Sequence, residues 1–137
     1  TILMAGWRRD VDDVLELLDS LSQPGSVVHM LNELPVAARR AELSHNGMEE
    51  SDLDNIEIVH HVGNPSFRRD LEPLPVEVYD SVMVLSDAKY EHDAMHSDSQ
   101  ALACLLLIRH LQEGRGIIFD EAVIKAAQAE ERRKFLL

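Results

Sequence analysis

Three arginine pairs punctuate the chain: Arg8-Arg9, Arg39-Arg40 and Arg68-Arg69. A guanidinium fork matches phosphate and carboxylate oxygens two at a time, so such pairs build anion sites. They also make ion pairs wherever acids lie close, and Asp10, Asp12, Asp13, Glu33, Asp70 and Asp87 are placed to provide them. In so acidic a chain the ion-pairing reading is favoured. His92 and His96 stand four apart, one helix face, a spacing that suits two zinc ligands. Asp93 takes the place of the glutamate of a zinc-protease motif, and a third ligand would have to come from elsewhere, such as His60 or His61. A polar helix surface is the favoured account of the two histidines. Asp87, Glu91, Asp93 and Asp98 offer hard oxygens of the kind calcium takes, without the spacing of an EF-hand loop. Asp87, Glu91 and Asp93 are the metal candidates.

The turn at residues 6–10, Gly-Trp-Arg-Arg-Asp, stands where doubly wound sheets place a ligand against the free N–H groups of a helix start. A dinucleotide turn needs three glycines: one to turn, one to let the pyrophosphate approach, one to let helix and strand pack. Here Gly6 is followed by Arg8 and Val11 at the second and third positions, so side chains fill the space a pyrophosphate would use. Glu33 alone matches, at the place of the acid that holds a ribose diol. The crevice candidates are therefore Gly6, Trp7, Arg8, Arg9, Glu33 and Asp87, with NAD not expected as cofactor. The side chains of Trp7, Arg8 and Arg9 read as braces against neighbouring acids or a partner domain. A phosphoacceptor switch fails because the third strand ends in His60-His61-Val62-Gly63 without an aspartate, and Ser86 lacks the flanking glycines of a nucleophile elbow.

The elements that must position these groups follow from periodicity. Residues 2–5 form a buried strand, and Val11, Val14, Leu15 and Leu18 recur at helical spacing after the turn. A Pro24-Gly25 turn leads to a second strand over 26–33, then a helix over 35–43 opened by Pro35, and a polar loop over 44–55. A third strand spans 56–62, and a short helix around 66–71 is stopped by Pro73 and Pro75. A fourth strand spans 81–85. The longest helix covers 91–112, polar in its first half and apolar in its second, so its C-terminal end should be buried against the sheet or a partner. Gly114 and Gly116 should break that helix. Strand alternating with helix is the pattern of a parallel sheet in the order 3-2-1-4, with a fifth strand beyond the fourth if residues 116–120 add one. The expected class is α/β, a Rossmann-like parallel sheet with helices on both faces. It is a single domain over residues 1–112, followed over 113–137 by a short strand and a C-terminal helix.

Composition narrows the function classes. With 25 acidic against 13 basic residues the net charge of -12 repels nucleic acid and anionic lipid while attracting cations. The single cysteine, Cys104, sits in an apolar run and reads as a small core residue in a reducing compartment. That run, 101–108, is far shorter than the roughly 20 apolar residues of a membrane span. The chain opens directly in a strand with no basic leader, so a domain excised from a longer protein is expected, without a signal peptide.

Four segments together carry a family resemblance: GWRRDVDDVLELLD, VHMLNELP, HHVGNPSFRRDLEPLP and SVMVLSD followed by HSDSQALACLLLIRHLQ. They resemble the CASTOR and POLLUX family of cation channels, and within it an RCK-type regulatory domain related to the TrkA-type domains of potassium transport. The resemblance covers residues 1–112 and weakens from Glu113 on. It implies a ligand-sensing module rather than an enzyme, one that joins other such domains in a gating ring around a tetrameric pore absent from this chain. Calcium is the implied effector, and the implied place is the cytosolic or nucleoplasmic face of a channel, at the nuclear envelope in plant members. The alternative is a nucleotide-binding sensor or enzyme that uses Glu33 and the first turn with NAD or ATP.

Overall fold

The computed structural model describes residues 1–85 and 93–115. Alternation along the first strand, β1 (Ile2–Ala5), sets up the whole layering: Leu3 and Ala5 face one side of the sheet, Met4 the other, and all three are fully buried. A strand buried on both faces belongs at the centre of a parallel sheet. There it pairs with β2 (Ser26–Asn32) on one side and β4 (Ser81–Val84) on the other, and β3 (Ile56–Val62) extends the sheet beyond β2. The order is β3-β2-β1-β4, all parallel, as the pattern of elements predicts.

Helices cover both faces. Against the Met4 side lie α1 (Val11–Leu21), through Val11 and Leu15, and α2 (Val36–His45), through Leu43. Against the Leu3 side lie α3 (Arg68–Leu71), through Leu71, and α4 (Ala94–Gly114), through Cys104, Ile108 and Leu111. This is the α/β, Rossmann-like architecture expected from the sequence. The polar loop after α2 contains a 3-10 turn at Glu50–Asp52.

α4 departs from expectation at its end. It runs through Gly114 instead of ending at Gln112, because Arg115 beyond it is held fast: its guanidinium donates to the carbonyls of Leu74 and Glu72 and to the Glu77 carboxylate, each at 2.6 Å. That contact also holds the Glu77 carboxyl below the usual carboxylate range. The apolar second half of α4 is half buried. Leu102, Leu105 and Leu106 are 55%, 39% and 56% exposed, on the face turned away from Cys104, Ile108 and Leu111. The predicted strand at 116–120 and helix at 121–137 lie outside the described residues. Among those that are described, no helix is long and apolar enough to cross a membrane.

Gly6 is the tightest backbone position in the fold. Its φ of +109° is one that side chains disfavour, and a Cβ there would stand 2.4 Å from the Leu85 carbonyl oxygen. Gly25 shares a positive φ, +87°, in open space. Gly6→Ala should therefore cost about 2–4 kcal/mol, from strain plus overpacking, whereas Gly25→Ala costs about 1 kcal/mol. Urea unfolding of the two variants side by side measures the difference; equal losses would show that the contact with Leu85 yields freely.

Candidate functional site

The C-terminal ends of the parallel strands and the turns that leave them form the edge where doubly wound folds bind ligands. At the first of these turns the room left by Gly6 goes to the protein's own backbone. The Gly6 N–H donates to the Leu31 carbonyl at 2.9 Å, and the Leu85 N–H donates to the Ala5 carbonyl at 2.7 Å. The cavity beside Gly6, under Cys104 and Leu85, is about 10 Å³, space for one water. Trp7 turns inward, 5% exposed, and its indole N–H donates to Glu42 of α2 at 2.6 Å. Arg8 pairs with Asp10 at 3.0 Å, both half exposed. Arg9 and Glu33 are exposed on the same edge. Asp87, the last crevice candidate, and the metal candidate Glu91 lie outside the described residues, as does His92.

The arginine that organises this edge belongs to the second pair, Arg39-Arg40. Arg39 is completely buried. Its guanidinium donates to the carbonyls of Met30 at 3.2 Å, Asn32 at 2.9 Å, Leu34 at 2.7 Å and His61 at 2.6 Å. One side chain thus joins the ends of β2 and β3 to the start of α2. Burial pulls the guanidinium down to about 10, which leaves it a cation at neutral pH. A lysine offers no planar fork and cannot reach four carbonyls spread over two strands and the segment before α2.

The network continues outward through His60. Arg39 has only hydrogens to give, so the His60 Nδ1 it meets at 3.1 Å must be the acceptor, and Nε2 carries the hydrogen. That Nε2–H donates to Glu50 in the 3-10 turn, and Glu50 also receives Arg40 at 3.4 Å. His60 is thereby committed to a structural chain, and His61 is hydrogen-bonded to His29, so neither stands ready as the third zinc ligand considered above.

The turn after β3 is built by side chains that cap one another. Asp70 accepts from the Asn64 N–H at 2.8 Å, and Asn64 in turn accepts from the Ser66 N–H at 2.9 Å and hydroxyl at 2.6 Å. The third arginine pair stays local: Arg68 meets Glu72 at 3.0 Å, and Arg69 lies over the Phe67 ring at 5.3 Å. Between this turn and the start of α4 runs an open groove of about 610 Å³, lined among the described residues by Asn64, Ser66, Asp93, His96 and Gln100. Asp93 caps α4, accepting the His96 N–H at 3.1 Å. Among the described residues, no group of three or more histidines, cysteines and carboxylates is gathered as for a metal ion. Cys104 is buried, and burial pushes its thiol up to about 12, so it stays protonated and inert.

Sequence reasoning missed Arg39, although one signal was available: it stands four residues before the buried Leu43, on the same helix face. It also chose Glu33 where the buried strand-end residue is Asn32. The Asn32 side-chain oxygen accepts the Leu34 N–H at 3.0 Å, and its amide nitrogen is buried without a partner among the described residues.

Comparison with known proteins gives this edge its context. No family model matches the chain. The probable ion channel POLLUX of Arabidopsis thaliana is 46% identical over 114 residues, 83% of this chain and 14% of that protein. The ion channel POLLUX of Lotus japonicus is 46% identical over 114 residues, 83% of this chain and 12% of that protein. The probable ion channel CASTOR of Oryza sativa subsp. japonica is 44% identical over 123 residues, 90% of this chain and 14% of that protein. The chain belongs to the CASTOR/POLLUX family. It spans 12% to 14% of the length of these relatives, so it corresponds to one segment of a CASTOR/POLLUX protein. The motifs that resemble the CASTOR/POLLUX family have physical roles in this segment. GW makes the close turn and its brace to α2, and the stretch from Gly63 to Asp70 forms the self-capped turn after β3.

Arg39→Leu should destabilise the domain by about 3–5 kcal/mol, since four strand-end carbonyls lose a charged donor at once. Arg40→Leu removes an exposed pair and should cost at most about 1 kcal/mol. Chemical denaturation of both variants checks the contrast; a loss below about 1 kcal/mol for Arg39→Leu would mean that other donors replace the guanidinium.

Proposed function

We propose that this chain is a regulatory domain of RCK type from a CASTOR/POLLUX-like cation channel, one unit of a gating ring at the cytosolic or nucleoplasmic face of the pore. It senses a ligand and is not an enzyme. The observation that carries this reading, beside the family itself, is the outer face of α4. Leu102, Leu105 and Leu106 are exposed together on one helix, and Met95, two turns before Leu102, is 80% exposed. A helix apolar on both sides is one that packs on both sides. The inner side packs on the sheet; the outer side is suited to a neighbouring domain of the same ring, with a tetramer the assembly in the full-length channel.

Calcium is the effector we assign, attracted by the chain's net charge of -12, with Asp87, Glu91 and Asp93 its proposed ligands. A cation held there would favour one arrangement of neighbouring domains and pass that bias to the pore. A nucleotide reading finds little room at the first turn, where Leu85 occupies the space next to Gly6 and Trp7 is turned inward.

Two measurements test these assignments. Light scattering across a concentration series should show self-association of the isolated chain, lost in the Leu102→Glu/Leu106→Glu variant while its melting temperature is kept. A wild-type chain that stays monomeric throughout would remove α4 as the docking face. Calorimetry with calcium, NADH and ATP should give saturable heat for calcium alone, weakened by Asp87→Asn. Saturable nucleotide binding abolished by Glu33→Ala would replace the proposal with a nucleotide sensor.

A further inference from the structure

On the Leu3 side of the sheet, two histidines of neighbouring strands meet. His29 of β2 and His61 of β3 bring Nδ1 and Nε2 to 2.9 Å. Their ring planes are 11° apart and their centroids 5.2 Å apart. Near-parallel planes can be no further apart than the shortest contact between them, here 2.9 Å, so most of the centroid separation is sideways. The rings lie side by side and do not overlap face to face. Each facing nitrogen points at the other, so one must donate and the other accept.

What fits between them is a proton and not a metal. Zinc takes nitrogen ligands at about 2.0–2.1 Å, so two that face each other in line would need roughly 4 Å between them. A neutral pair holds one hydrogen in the shared bond and one on the outer nitrogen of the accepting ring. A first added proton goes to the outer nitrogen of the donating ring and leaves the shared bond in place. A second would put a hydrogen on both facing nitrogens and break it.

We propose that the His29–His61 pair is a proton-sensitive latch that holds the edge strand β3 to β2 on this face and releases it as the pH falls below neutral. His61 is well placed for this, because its own carbonyl is also one of the four held by Arg39. From His61 the chain passes directly through Val62 and Gly63 to Asn64, a wall of the strand-end groove. Loosening β3 therefore changes the ligand-binding edge. The surroundings oppose charge on the pair. Among the described residues, the side chains whose charge bears on the pair are Arg39 and His60, at His61. Tyr79 lies 5.1 Å from His29, ring to ring, as a neutral phenol whose ionisation is raised by burial and then by Glu77, itself engaged by Arg115.

The direction follows. Burial first, then neighbouring positive charge, holds both imidazoles below their ordinary value of about 6.5. A base whose folded value is depressed binds more protons when unfolded, so its contribution to stability is complete above about 6.5 and is lost as the pH falls below it. His61→Gln keeps an amide nitrogen at the Nε2 position and removes the titration; His29→Asn does the same at Nδ1. The urea midpoint of the wild-type chain should fall between pH 7.5 and 5.5, and either variant should lose at least half of that fall. Because a variant can fail to fold, hydrogen exchange of the wild-type β3 amides is the second measurement. Corrected for intrinsic rates, their opening should increase several-fold over the same interval, because the opened strand takes up protons that the closed pair resists. A pH profile unaltered in the folded variants, or β3 protection independent of pH, overturns the proposal.

Discussion

A single buried cation holds the strand-end edge of this domain together. A carbonyl oxygen has two lone pairs, and a sheet ladder uses one of them. The Asn32 carbonyl accepts the Gly63 N–H at 3.0 Å and takes the Arg39 guanidinium as a second donor. The same side chain gives a charged donor to the carbonyls of Met30, Leu34 and His61. The arrangement also fixes geometry: the ends of β2 and β3 and the first turn of α2 keep their spacing because one rigid planar group touches all three. Desolvating a cation is costly, and it is tolerated because the guanidinium meets carbonyls wherever it has left water.

Much of this fold was legible in the sequence, and the reasons are specific. β1 and β3 coincide with their apolar runs, and the crossovers between parallel strands leave few orders other than β3-β2-β1-β4. What patterning could not give was the fate of individual polar groups. An arginine next to another arginine on a helix reads as solvated, and only the meeting of two strand ends above α2 makes the interior the better place for Arg39. Asn32 and Glu33 differ by one position, but β2 ends at Asn32 and Glu33 already stands in the exposed turn beyond it, so the reading that favoured the acid chose a residue open to solvent. The leucines of α4 show the reverse difficulty. Apolar composition says that a surface is to be covered, without saying by what.

The first turn shows how a binding fold can keep its shape while its ligand space closes. In a dinucleotide site the glycine after β1 leaves room for the cofactor. Gly6 keeps the same unusual backbone, yet the space goes to the carbonyl of Leu85, and Trp7 closes the turn against α2. The turn has become a joint between β1, β4 and α2. A larger space lies further along the edge, between the turn after β3 and the start of α4.

Arg115 gives the domain a mechanical property. At the end of α4 its guanidinium grips the backbone of Glu72 and Leu74 and the side chain of Glu77, all in the segment between α3 and β4. Tension applied at that end of the helix is delivered to this segment, which leads directly into β4 and from there to the Leu85 carbonyl seated over Gly6. The helix is thus a lever with its short arm clamped to the loop. A pull at one corner of the domain is felt at the opposite end of the sheet without any helix having to unwind.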